Sequence, residues 1–258
     1  MEMNKKLEQI KNKKISLMGH IVGGYPDVES SLKAAKGICR HADFIEVQFP
    51  FSDPSADGKV IEGASYKAID AGFTVEDGFK IVKELSETTE AVVIIMTYAN
   101  IVYKYGIERF VKKAKESGAN AFIVPDLPYG SDEGLSETAE KYGIGVIQVI
   151  SPGVGDERIK MLGDKSYGVL YVTARRGITG SKTDIGAETE EWIATVKRNC
   201  SKPIALGFGI KSNSQVRALA GKTEIVVAGS YFVEKISSLS KGSDFEAELA
   251  KAAELLLS

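Results

Sequence analysis

The stretch AVVIIMTYANIVYKYGIERFVKKAKESGANAFIVPD, residues 91–126, decides how this chain folds. It opens with an apolar, β-branched run at 91–98 and closes with a second such run at 121–126, and both are typical of buried strands. Between them, segment 107–118 places apolar residues at helical spacing and ends on Gly118, a suitable left-handed cap. The order strand, helix, strand predicts two parallel strands joined by a helix.

The same unit recurs along the chain. Further apolar runs lie at 15–22, 43–49, 145–151, 168–174, 203–209 and 224–230. Helical patterns separate them; one, at 131–143, begins with a serine cap and ends on glycine. Eight strand–helix units in 258 residues match the size of a (β/α)8 TIM barrel. We also predict additional N- and C-terminal helices, at about 2–11 and at 244–257.

An open, doubly wound sheet is the competing α/β arrangement. The first strand–helix turn of such a sheet usually carries G-x-G-x-x-G, whereas this turn reads GGYPD at 23–27. We therefore favour the barrel. No linker-like or low-complexity stretch divides the chain, which predicts a single barrel domain over residues 1–258.

Composition excludes several classes of protein. The 33 basic and 35 acidic residues give a net charge of −2, which offers no broad field for nucleic acid or anionic membranes. Cys39 and Cys200, with histidines only at 20 and 41, lack the spacing of a zinc site, and we expect no metal. The charged N-terminus has no signal-peptide pattern, and the run at 91–96 is too short to span a bilayer. We expect a soluble, cytoplasmic protein.

One acidic residue stands inside an apolar strand. Alternation places Phe44, Glu46 and Gln48 on one face of the strand and Ile45, Val47 and Phe49 on the other. The second face is apolar and should meet the helices, so Glu46 turns into the barrel. An unpaired charge there costs several kcal/mol, so this carboxyl must be paired, protonated or near the mouth. It could pair with a buried cation, although the strand runs contain no Lys or Arg. A desolvated carboxyl is otherwise a natural acid–base group, and Asp57 on the next loop, if ionised, permits a second role.

Glycines and small hydroxyl residues follow the last three predicted strands. In barrels of this kind, phosphate often binds after strands seven and eight, at the N-terminus of a short helix. The predicted phosphate-binding groups are Gly180, Gly209, Gly229 and Ser230. The alternative is that these glycines only form tight turns, which suffices for a single glycine but less well for three loops together.

The segment PFSDPSADG (50–58) resembles the signature of the tryptophan synthase α subunit family. MTYAN (96–100), VPDLP (124–128), RRGITG (175–180), GFGI (207–210) and AGS (228–230) also follow the order of that family, so the resemblance covers nearly the whole chain. It implies cleavage of indole-3-glycerol phosphate into indole and glyceraldehyde 3-phosphate. It also implies no metal or organic cofactor here, with pyridoxal phosphate (PLP) only in a partner β subunit of an α2β2 complex.

The resemblance implies roles for particular residues. Glu46 would protonate the indole at C3, and Asp57 would hold the ring N–H as positive charge develops. The implied substrate-binding residues are Tyr171, Thr179, Phe208, Tyr98 and Leu17. The implied partner-interface residues are Pro50, Asp53 and Pro128. Asp53 also has a simpler reading, since an aspartate before proline often sets a turn.

Several positions depart from the family pattern. Gln48 replaces a glycine and could hydrogen-bond or crowd Glu46, and Leu17 replaces an aromatic residue of the indole pocket. Lys59 and Arg176 change charges near the site. Gln48 and Leu17 support an alternative, a weakly active subunit that mainly activates a PLP-dependent β partner. A sugar-phosphate isomerase or epimerase is a further alternative, and the PFSDPSADG loop argues against it.

Overall fold

The computed structural model describes residues 2–174, 186–207 and 209–258. Within these ranges the chain forms one sheet in which all neighbouring strands are parallel. The strands are β1 (Ser16–Val22), β2 (Phe44–Gln48), β3 (Val92–Met96), β4 (Ala121–Ile123), β5 (Gly145–Val146), β6 (Val149–Ile150), β7 (Leu170–Thr173), β8 (Ile204–Gly207) and β9 (Ile225–Ala228).

The sheet closes on itself through segment 145–150. β5 pairs with β4 and β6 pairs with β7, so these two short strands form the ends of the strand order yet adjoin in the chain. The link between them continues both ladders, since Ile147 N donates to the Phe122 carbonyl at 2.8 Å and Tyr171 N donates to the Gln148 carbonyl at 3.0 Å. β5 and β6 are therefore two halves of one strand, and the predicted eight-stranded barrel is confirmed.

Helices alternate with the strands and surround them. In the described ranges they are α1 (Glu2–Ile10), α2 (Val28–Cys39), α3 (Lys59–Asp70), α4 (Val75–Thr88), α5 (Ala99–Tyr105), α6 (Ile107–Glu116), α7 (Leu135–Lys141), α8 (Asp156–Lys165), α9 (Ala187–Asn199), α10 (Asn213–Leu219), α11 (Ser230–Ser238) and α12 (Phe245–Leu257). None of these helices combines the length and apolarity needed to cross a membrane. The predicted terminal helices correspond to α1 and α12, and Asp244 caps α12 through its side chain.

Alternation along the strands produces two apolar layers. Ile45, Val47 and Phe49 belong to the layer between the sheet and the helices, whereas Phe44 belongs to the cluster that fills the barrel interior. The predicted facing of β2 is therefore confirmed. Glu46 shares the inward face of Phe44 and is only 2% exposed, so the fold itself puts this carboxyl inside the barrel.

One predicted helix is accurate and another begins too early. The segment predicted from 107 forms α6, and Gly118 has the left-handed φ of +83° expected of its cap. The segment predicted from 131 becomes helical only at Leu135, because Gly134 has a φ of +81° that no right-handed helix accepts. Ser131 therefore does not cap α7; instead, Asp132 Oδ2 accepts from Ser136 N at 2.9 Å.

Candidate active site

A cavity opens at the carboxyl ends of the strands, where the predicted chemical residues meet. Its ionisable wall consists of His20, Glu46, Asp57 and Tyr171. Its apolar wall consists of Ile61, Met96, Ile123, Val149 and Val227. Gly209, Gly229 and Ser230 line the same cavity. The structure thus brings together the predicted carboxyl groups, one predicted aromatic residue and three predicted phosphate-binding residues.

Glu46 lies against a histidine of the neighbouring strand. The register of β1 and β2 places His20 directly opposite Glu46, and His20 Nδ1 is 2.8 Å from Glu46 Oε2. Both side chains are buried, and neither His20 Nε2 nor Glu46 Oε1 has a hydrogen-bond partner among the described residues. Burying a polar pair costs free energy unless its remaining polar atoms find hydrogen-bond partners. Unpartnered buried atoms of this kind are typical of a site that receives a ligand.

His20 is the residue that the sequence analysis missed. Its signal was present in SLMGHIV (16–22), where period-two alternation puts His20 on the face of Met18, away from Leu17. Met18 does belong to the interior cluster. Placing the histidine inside the barrel would have required the same alternation argument that located Glu46.

Asp57 is held by two side chains that approach from the sheet. Gln48 Nε2 donates to Asp57 Oδ2 at 2.6 Å, and the Tyr98 hydroxyl also hydrogen-bonds this carboxyl group. Ala56 N in turn donates to the Tyr98 oxygen at 3.2 Å, which fixes the loop. Burial raises the pKa of Asp57 above its ordinary value, and the hydrogen bonds from Gln48 and Tyr98 oppose the rise.

In the opposite wall of the cavity, the ring of Tyr171 packs over Gly207. Burial raises the pKa of Tyr171 well above its usual range, so the phenol stays neutral. A Cβ at Gly207 would lie 2.8 Å from the Tyr171 oxygen, closer than real contacts allow. Only glycine at 207 lets this ring adopt its position across the cavity.

The third wall is the N-terminal end of a helix. Gly229 is the cap residue before α11 and Ser230 is its first residue, and both face the cavity. The first amide groups of a helix have no intrahelical acceptor, and the helix dipole adds positive potential there. Gly209, with a φ of +67°, lies beside them after β8. This wall has the properties of an anion site.

Three predictions about the pocket need correction. Leu17 is wrong as a pocket residue, because it pairs with Val226 in the outer layer and faces the helices. Tyr98 is fully buried and is not among the described residues that line the cavity, so it supports the Asp57 loop. The donor group of the Gln48 side chain bonds Asp57, whereas the described hydrogen bond of Glu46 is to His20.

The predicted interface residues differ in exposure. Asp53 and Pro128 are exposed near the mouth of the barrel, whereas Pro50 is buried and can act only by shaping its loop. Asp53 bonds locally: Ser52 Oγ donates to its Oδ2 at 2.6 Å and Ser55 N donates to its carbonyl at 2.8 Å.

Four predicted or noted residues, Arg176, Thr179, Gly180 and Phe208, lie outside the described residues. Within the described ranges, no group of three or more His, Cys, Asp and Glu side chains is arranged to hold a metal ion.

Comparison with known proteins identifies the family. Residues 7–256 match the family model described as tryptophan synthase alpha chain. The tryptophan synthase alpha chain of Helicobacter hepaticus is 50% identical over 256 residues, covering 95% of this chain and 96% of that protein. That of Methanocaldococcus jannaschii is 38% identical, covering 91% and 84%. A chain of the tryptophan synthase complex from Pyrococcus furiosus superposes with a TM-score of 0.86 at 32% identity, covering 94% and 97%. With this barrel, this site and these relatives, the chain belongs to the tryptophan synthase alpha chain family.

Proposed function

We propose that Glu46 and Asp57 are the groups with which this chain cleaves indole-3-glycerol phosphate into indole and glyceraldehyde 3-phosphate. The cleavage itself is the lyase reaction of the family. The observation that carries the assignment of roles is their common cavity, where both carboxyl groups, an apolar wall and a helix N-terminus meet.

The cavity matches the two ends of this substrate. The apolar wall suits the indole ring, whereas the amides around Gly229 and Ser230, with Gly209, suit the phosphate. Gly180, Thr179 and Phe208 remain predicted contributors by resemblance. A substrate anchored at both ends places its scissile carbon–carbon bond beside Glu46, which supplies the orientation that catalysis requires.

The two carboxyl groups take different parts of the reaction. Glu46 gives a proton to C3 of the indole, and positive charge then develops on the ring nitrogen. Asp57 stabilises that charge as a carboxylate, held in place by Gln48 and Tyr98. Because burial raises the pKa of Asp57, we expect activity to fall as the pH drops through that raised value.

This chain works with a β subunit and needs no cofactor of its own; PLP belongs to that partner. We place the contact on the exposed Asp53 and Pro128 at the barrel mouth, with Pro50 shaping the loop. We also place the enzyme in the cytoplasm, as its biosynthetic role indicates.

The alternative of a weakly active activator loses most of its support. It relied on Gln48 and Leu17 disturbing the pocket, yet Leu17 faces the helices and Gln48 bonds Asp57. Lys59 is exposed as the first residue of α3. No described departure from the family pattern obstructs the cavity.

The test is indole release from indole-3-glycerol phosphate, measured with and without a β subunit. We expect Glu46→Gln to lower kcat by about 10²–10⁴-fold because the amide cannot donate the proton to C3. Glu87→Gln is the matched control, since Glu87 is exposed near the end of α4 and remote from the cavity. Turnover by Glu46→Gln close to that of the control would remove Glu46 from this role.

A further inference from the structure

The reaction requires two proton transfers, and the described cavity holds a second group suited to proton transfer. A proton must reach the indole carbon and another must leave the substrate hydroxyl. Glu46 accounts for the first transfer under the proposed function, on which this inference rests. His20 lies beside it, with Nδ1 2.8 Å from Glu46 Oε2 and its ring against the cavity.

Two polar atoms of this pair have no hydrogen-bond partner in the part of the chain that the structure describes. They are His20 Nε2 and Glu46 Oε1, one from each residue, and both are buried. The other two atoms, Nδ1 and Oε2, are occupied with each other. In such a pair, one unpartnered atom, Glu46 Oε1, can give a proton, and the other, His20 Nε2, can accept one.

The surroundings contain few competing groups. Asp57 approaches from the loop after β2, and Tyr171 approaches from β7 as a neutral phenol. Asp57 is already bonded by Gln48 and Tyr98. The described cavity residues of β8, β9 and the start of α11 are Gly207, Gly209, Val227, Gly229 and Ser230, and none of them titrates near neutral pH. Among the described residues, His20 is therefore the base best placed for the hydroxyl proton.

We propose that His20 is a catalytic residue that removes the substrate hydroxyl proton while Glu46 delivers its own proton to the ring carbon. At the start, Nδ1–H donates to Oε2 and the proton of Glu46 is on Oε1. The ring C2=C3 pair takes that proton and forms the new C–H bond, which leaves the ring as an iminium. His20 Nε2 then takes the hydroxyl proton.

Electrons and protons balance in this sequence. The O–H pair becomes the carbonyl of glyceraldehyde 3-phosphate, and the pair of the broken C–C bond restores the ring double bond and neutralises the iminium. The side chains finish as imidazolium and carboxylate, so their total proton count is unchanged. Transfer from Nδ1 to Oε2 returns a proton to Glu46, and exchange with water after product release restores the starting tautomer.

His20→Asn separates this role from simple positioning. The asparagine amide places an N–H near the position of Nδ1, so it keeps a donor to Glu46, but it has no base at the position of Nε2. We expect kcat to fall about 10²-fold or more, with KM within about a factor of three of wild type. Free imidazole should restore part of the activity of His20→Ala and none of the activity of Glu46→Gln.

His41→Asn is the matched control, because His41 is exposed and lies away from the cavity. Wild-type turnover by His20→Asn would overturn the proposal, since a positioning role alone needs only the retained donor. If wild-type protein releases no indole, the proposed function itself is wrong. If wild type is active, Glu46→Gln is inactive and His20→Asn is unaffected, only the role of His20 is rejected.

A measurement on wild-type protein does not depend on how variants fold. The chain contains only two histidines, so ¹⁵N spectra of labelled imidazoles are simple to assign with His41→Asn. We expect the ligand-free enzyme to carry the His20 proton on Nδ1 and none on Nε2. A proton found on Nε2 of the neutral ring would overturn the proposal, because that atom could not then accept the hydroxyl proton.

Discussion

Gln48→Met tests how the barrel holds a charged Asp57 inside its wall. Gln48 is fully buried, and its Nε2 donates to Asp57 Oδ2 at 2.6 Å. Methionine conserves the shape of the side chain but removes this donor. The bond favours the ionised carboxylate, so its loss raises the pKa of Asp57 further above an ordinary aspartate value.

The magnitude follows from comparing two protonation states. A hydrogen bond to a charged acceptor stabilises by roughly 1.5–3 kcal/mol, and one between neutral groups by roughly 0.5–1.5 kcal/mol. Gln48→Met should therefore cost about 1 kcal/mol more when Asp57 is ionised than when it is protonated. The unpartnered Gln48 Oε1 is removed at every pH, so its contribution cancels in this difference.

The sign of the pH dependence follows from the raised pKa. Because Asp57 binds its proton more tightly in the folded state, the stability gained from that proton is complete below the unfolded pKa. It is lost as pH rises through the folded value. The variant has the higher folded pKa, so its deficit should grow as the pH rises from the unfolded value, about 4, through the raised folded pKa.

Urea unfolding of wild type and variant across this range gives the free energies of unfolding. Gln148→Met is the matched control, since Gln148 is also buried but its Oε1 accepts from the neutral Tyr129 N at 3.0 Å. We expect the deficit of that control to be independent of pH. A deficit of Gln48→Met that is equally constant would refute the assignment of Gln48 as the support of a charged Asp57.

Two further predictions concern glycines at close approaches. Gly37→Ala puts a Cβ 2.2 Å from the Glu246 carbonyl oxygen on α12, whereas a Cβ at Gly63 meets no described atom within 4 Å. Both substitutions gain similar helix propensity. By urea unfolding, Gly37→Ala should therefore be about 1–3 kcal/mol less stable than Gly63→Ala, and equal stabilities would contradict this packing of α12 on α2. Gly207→Ala should displace the Tyr171 ring, whose oxygen lies 2.8 Å from the added Cβ. We expect kcat/KM for indole release to fall at least about tenfold, and an unchanged value would show that the ring position is unimportant.

Sequence periodicity predicted β1, β2 and β3 well because these strands are buried on both faces. The runs around β1, β2 and β3 are nearly continuous apolar segments, which a parallel barrel requires. The start of α7 was wrong because glycine at 134 adopts a left-handed conformation that the local pattern did not reveal. The backbone conformation of a single turn depends on local contacts, and the periodicity of apolar residues carries no information about them.

The sequence alone determined the barrel, the inward turn of Glu46 and the family to which the chain belongs. These follow from local pattern: period-two alternation fixes the side of a strand, and the motifs are contiguous. Only the tertiary structure decided that His20 meets Glu46 and that Gln48 supports Asp57. Such pairings depend on the register between strands and on the path of a loop, which residues far apart in sequence fix together.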